Sequence, residues 1–160
     1  MGKSALTAFM TVLAFFAVTS CNQGTILKER HKFENNTWKR INDDIRYEVE
    51  ITDVKKQYDL TIPIRHASFY PYQYLEIAFN IYSPSGQESY SVKKIYLKDP
   101  EGNWKGKGMG DIWDFDYKLF EDYTFNEPGK YTFEMQNLTG NNLFLPGIME
   151  IGLIISRTKK

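Results

Sequence analysis

The sequence predicts an all-β domain, an antiparallel β-sandwich of about seven or eight strands behind a cleaved N-terminal lipoprotein signal peptide. Three observations predict the sandwich. Apolar and polar residues alternate in several short runs, which is the period of a half-buried strand. Beyond residue 20, no segment keeps helical spacing over the roughly ten residues that a helix requires. Phe and Tyr, eleven of each, favour pleated surfaces. Short strands separated by turn signals, with no helices between them, fold as a sandwich.

The first run is Ile45 to Ile51, with Ile45, Tyr47, Val49 and Ile51 on one side and Arg46, Glu48 and Glu50 on the other. Tyr58, Leu60, Ile62 and Ile64 form the second. Pro63 lies on its polar phase and, lacking a backbone donor, predicts an edge strand. Leu75, Ile77, Phe79 and Ile81 form the third, ended by the turn Ser83-Pro84-Ser85-Gly86. Tyr90 to Leu97 is less regular, and its phase slip predicts a bulge at Lys93 and Lys94. Tyr117 to Phe125 and Tyr131 to Met135 flank Asn126-Glu127-Pro128-Gly129 as two strands and a short connection. Ile148 to Ile155 is apolar enough for a central strand.

The N-terminus reads differently. Lys3 precedes the uncharged apolar stretch Leu6 to Thr19, which has the length of a signal h-region and is too short to span a bilayer. Val18-Thr19-Ser20-Cys21 then resembles a bacterial lipobox. The segments expected are a signal peptide at 1–20, a lipidated tether at 21–30 and the sandwich at 31–160. Two or more acyl chains on Cys21 suffice for stable anchoring, since each buried methylene contributes about 0.8 kcal/mol. Cys21 is the only cysteine, so no disulfide forms within the chain. No acidic residue follows it until Glu29, so the chain does not resemble lipoproteins whose surface-export signals carry acidic residues just after the cysteine, and by that comparison the periplasmic face of an outer membrane is expected.

Charge excludes one class of partner. Cleavage removes only Lys3 from 20 basic residues, against 20 acidic, and no dense basic stretch offers itself to phosphates, so nucleic acid is not expected. Catalysis is also hard to assemble. His31 and His66 read as surface histidines, no serine or cysteine sits in a nucleophile motif, and no zinc spacing occurs. Asp111, Asp114, Asp116, Glu121 and Asp122 fit no EF-hand and read as a solvated acidic loop, with a hydrolase built on them the least favoured reading. No cofactor or small-molecule substrate is implied.

The most unusual segment is Asp99 to Trp113, where Gly102, Gly106, Gly108 and Gly110 alternate with basic and bulky residues. Walker spacing is absent, so this is not a phosphate loop. It is either a connection between sheets with Trp104 on the core, or a partner-docking loop carried by Trp104, Gly106, Gly108, Asp111 and Trp113. A glycan-binding alternative would use Tyr70, Tyr72, Tyr74, Trp104 and Trp113 as stacking rings.

Several of these features together resemble the GldH-type gliding-motility lipoproteins. They are the lipobox Cys21, the strand Tyr58 to Arg65, Tyr74-Leu75-Glu76-Ile77 before a Pro-Ser-Gly turn, and the loop Gly102 to Gly108 leading to Asp111-Ile112. Pro128 to Phe133 and the closing Gly147-Ile148 strand complete the match, which covers most of the chain. The resemblance implies a non-enzymatic accessory lipoprotein of the outer membrane, working with other envelope lipoproteins or with components of the gliding and type IX secretion machinery. It transfers no catalytic residues.

Overall fold

A computed structural model describes residues 24–159; the signal segment and Cys21 lie outside the described residues. Among the described residues there are eleven strands: β1 (Thr25–Lys32), β2 (Thr37–Lys39), β3 (Ile45–Ile51), β4 (Tyr58–Ala67), β5 (Tyr74–Tyr82), β6 (Glu88–Tyr96), β7 (Lys107–Met109), β8 (Ile112–Tyr123), β9 (Gly129–Asn137), β10 (Phe144–Pro146) and β11 (Ile148–Arg157). They form a five-stranded sheet, β1-β11-β4-β8-β7, a four-stranded sheet, β3-β9-β5-β6, and a β10-β2 ribbon. Every pairing is antiparallel. The all-β sandwich holds, with β1, β2, β7 and β10 added to the strands expected. Three of these are only three residues long, too short to display a period.

The inward phases of the two large sheets make one core, in which Trp38, Tyr58, Leu60, Ile62, Phe79, Phe125 and Phe133 are almost fully buried. Each such side chain contributes about 1.5–3 kcal/mol relative to an exposed one. Strand β3 alternates without error, buried at Ile45, Tyr47, Val49 and Ile51.

Four local readings change. Residues 25–30, read as tether, belong to β1, which pairs with β11 from Thr25↔Ser156 to Lys32↔Glu150. A register shift between Thr25 and Leu27 breaks the alternation there and hides the strand. Strand β4 is central rather than an edge. Pro63 keeps its partner Asp116 in β8, while the β11 ladder skips Ile62 and Pro63 and resumes at Thr61. The missing donor therefore costs one rung, and Gly152 opposite leaves room for the ring.

No bulge occurs in β6, which pairs residue for residue from Tyr74↔Tyr96 to Tyr82↔Glu88. Its alternation fades because Ser89, Ser91 and Lys93 take the inward phase of an edge strand, with Lys93 Nζ 4.9 Å above the Phe120 ring. Finally, β8 begins at Ile112, so part of the supposed acidic loop is strand. Trp113, Phe115 and Tyr117 share a face with Ile62, Ile64 and His66, while Asp114, Asp116 and Lys118 point the other way.

The register defines two ends. Thr25, Ile51, Tyr58, Tyr123 and Arg157 lie at the end where the chain enters from Cys21; Lys32, Ile45, Ala67, Ile112 and Ile148 lie at the other. A ten-residue strand such as β4 separates the ends by about 30 Å.

Candidate functional site at the distal end

The glycine-tryptophan segment folds at the end far from Thr25. Asp99 starts it: its Oδ1 accepts the Asn103 amide at 2.8 Å, and that hydrogen bond, foremost, holds the Asp99 carboxyl below its usual range. Gly102 turns at φ +88°. The Lys105 amide then donates to the Leu97 carbonyl at 2.8 Å, and Lys98 pairs with Trp104.

Trp104 is thereby laid over the end of the sandwich. Its ring lies 4.6 Å from His66 and 6.4 Å from Tyr70, centroid to centroid, with Lys98 Nζ 4.2 Å above it. His66, expected at the surface, is fully buried. It falls on the inward phase of β4, and burial pushes its pKa below the ordinary value. With Nδ1 3.1 Å from the Ala67 carbonyl oxygen, the proton belongs on Nδ1, and Nε2 has no partner. The site therefore selects neutral imidazole.

The glycines are required by contact. A Cβ on Gly106, at φ +94°, would overlap the Asp114 carbonyl, so the backbone of the loop can pass β8 only without a side chain. Gly108 pairs with Trp113, whose indole covers it; a Cβ there would come 2.9 Å from the ring. Gly110 and Asp111 make the two-residue turn of the β7–β8 hairpin, with Gly110 at φ +60°. Asp111 fixes the tip, its backbone carbonyl accepting the Ser68 amide at 2.8 Å and its Oδ1 the Ser68 hydroxyl at 2.9 Å.

On the outer face, charge runs across the large sheet. Arg65 binds Asp114 through two hydrogen bonds, of 2.9 and 3.0 Å, and approaches Glu150 at 3.5 Å; Arg30 lies 3.7 Å from Glu150. The Arg65 guanidinium is the main reason Asp114 titrates below the usual carboxylate range. Glu121 pairs with Lys118 instead. Among the described residues, no three His, Cys, Asp or Glu side chains form a group able to hold a metal ion.

Of the five residues singled out in this segment, Trp104 and Trp113 are half-buried and shape the hairpin with Gly106, Gly108 and Asp111. The side chains the hairpin exposes are their neighbours: Met109 (83 % exposed), Ile112 (37 %) and, after Ser68, Phe69 (64 %). The β2–β10 ribbon, at the same end, exposes Ile41, Leu143 and Phe144. The other large exposed apolar side chains, Tyr90, Val92 and Tyr96, lie along β6. The alternation Trp113-Asp114-Phe115-Asp116-Tyr117 was the signal that could have placed Ile112, and its partner Met109, on the outer face.

Fold and surface define a single β-sandwich domain with an apolar apex. The sequence model of the GldH lipoprotein family matches residues 25–155, and the chain belongs to that family. A gliding motility lipoprotein GldH homolog of Christiangramia forsetii is 27 % identical over 93 % of this chain and 90 % of its own length. The gliding motility lipoprotein GldH of Flavobacterium johnsoniae is 24 % identical over 86 % of this chain and 84 % of its own. Among solved structures, TmCBM61 in complex with beta-1,4-galactotriose aligns with 73 % of this chain and 62 % of its own, at 12 % identity and a TM-score of 0.31. That likeness is too slight to carry fold or ligand across.

Proposed function

We propose that this gliding-motility lipoprotein is held by lipid on Cys21 in the outer membrane, on the periplasmic face, and acts through protein contacts made by its distal end rather than by catalysis. Its partners are other envelope lipoproteins or components of the gliding and type IX secretion machinery. The observation that carries the reading is the placement of exposed apolar groups. Met109, Ile112 and Phe69 stand at the hairpin tip and Ile41, Leu143 and Phe144 on or next to the β2–β10 ribbon, all at the end opposite Thr25. Apolar side chains clustered on a soluble surface mark interaction sites, and these face away from the anchor.

The glycan reading has less support, because none of its five rings is exposed: Tyr70 is buried and Tyr72, Tyr74, Trp104 and Trp113 are half-buried. The docking reading is tested by the double substitution Met109→Asp with Ile112→Asp. Both side chains point to solvent, so folding and membrane attachment should persist while gliding, or type IX export in a non-gliding host, is lost. Normal motility and export in that strain would refute it.

A further inference from the structure

Strand β1 begins at Thr25, so only residues 22–24 separate Cys21 from the folded domain. Fully extended, the four Cα steps from Cys21 to Thr25 span at most about 14 Å. If lipid sits on Cys21, the proximal end of the sandwich is held within that distance of the headgroups, close to the roughly 8–10 Å over which charges act in physiological salt.

That end carries exposed cations beside the point where the tether leaves. The Arg157 amide donates to the Gly24 carbonyl at 2.7 Å, and the Thr158 amide donates to the Gln57 carbonyl at 2.9 Å, which joins the start of β1, the end of β11 and the β3–β4 turn. On these three segments Lys55, Lys56, Arg157 and Lys159 are exposed. Lys55, Lys56, Gln57 and Thr158 line one open cleft.

Three of the neighbouring carboxylates are engaged within the domain, while those of Asp122 and Glu50 are exposed. Asp53 accepts the Lys55 amide, Asp59 accepts the Asp122 amide and the Thr158 hydroxyl, and Glu121 holds Lys118. No large apolar side chain is exposed on these segments, so nothing here competes with the apolar distal end for a protein partner.

We infer that the Lys55, Lys56, Arg157 and Lys159 surface docks on the phosphates of anionic phospholipids in the membrane that holds Cys21, so that the sandwich stands with its glycine-tryptophan hairpin away from the bilayer. The inference rests on the anchoring reading. It adds an orientation: the lipid supplies attachment, and the basic cluster sets which end faces the membrane.

The test uses the mature, lipidated chain in vesicles of phosphatidylglycerol with phosphatidylcholine, and in phosphatidylcholine alone. Acylation of each lysine by an amine-reactive reagent is followed by mass spectrometry, which also weighs Cys21. Cations near an anionic surface gain enough that Lys55, Lys56 and Lys159 should react roughly fivefold more slowly in the anionic vesicles. Lys107 and Lys32, at the distal end, should keep their rates, and high salt should remove the difference. A Lys55→Gln/Lys56→Gln chain should lose most of the protection of Lys159. Equal rates in both vesicles with Cys21 lipidated would overturn the docking alone; an unmodified Cys21 would overturn the anchoring reading and this inference with it.

Discussion

Replacing Gly106 with alanine should be far more damaging than the same change at Gly110, although both glycines lie in one hairpin segment and both have positive φ. At Gly110 (φ +60°) an added Cβ meets nothing within 4 Å, so the cost is the left-handed backbone alone, about 1–2 kcal/mol. At Gly106 (φ +94°) the backbone penalty is similar, but the new methyl also overlaps the Asp114 carbonyl. Backbone atoms cannot rotate away, and relieving such an overlap costs about 1–3 kcal/mol more. Moving the loop would also disturb Asp114, the bidentate partner of Arg65. The expected loss is about 2–5 kcal/mol for Gly106→Ala against about 1–2 for Gly110→Ala. Urea denaturation followed by tryptophan fluorescence measures both. Equal losses, or a larger loss at Gly110, would refute the claim that close passage over β8, rather than flexibility, requires glycine in this loop.

The other predictions concern the buried histidine and the exposed tip. Since burial lowers the His66 pKa, the unfolded chain binds more protons than the folded one below its ordinary value of about 6.5. This contribution to stability is complete above that pH and is lost as pH falls toward the lower folded pKa. His66→Phe, which removes the unpartnered Nε2, should flatten the dependence of unfolding free energy on pH as pH falls below the ordinary histidine value of about 6.5. Trp104→Ala should destabilise by about 2–3 kcal/mol, less than for a fully buried ring, and should return the His66 pKa toward its ordinary value, as read by proton NMR titration. Met109→Asp, at a side chain 83 % exposed, should change stability by no more than about 0.5 kcal/mol.

How far the sequence discloses this molecule depends on how many neighbours decide each residue. Strand β3 was legible to the residue because one of its faces is core and the other solvent. Strand β6 was legible in place but not in regularity, because an edge strand can carry serine and lysine inward. Pro63 misled because what it forbids is one rung, and only the partner strand, with Gly152 opposite, determines whether that rung matters. His66 misled in the same way: its burial depends on Trp104, brought back from 38 positions later in the chain. The glycine-tryptophan loop was visible as a motif, yet its exposed groups were not. Trp104 and Trp113 are the large side chains of the motif, and only pairing shows that they turn inward and leave Met109, Ile112 and Phe69 outside.

The central claim is that the distal hairpin meets a partner while the opposite end faces the membrane. Photo-crosslinking in intact cells tests it most directly, with the photoreactive residue placed at Met109 at the hairpin tip or at Thr52, an exposed residue at the proximal end. A discrete protein adduct is expected from Met109, containing a component of the gliding or type IX secretion machinery, and none from Thr52. A protein adduct from Thr52 with none from Met109 would contradict it.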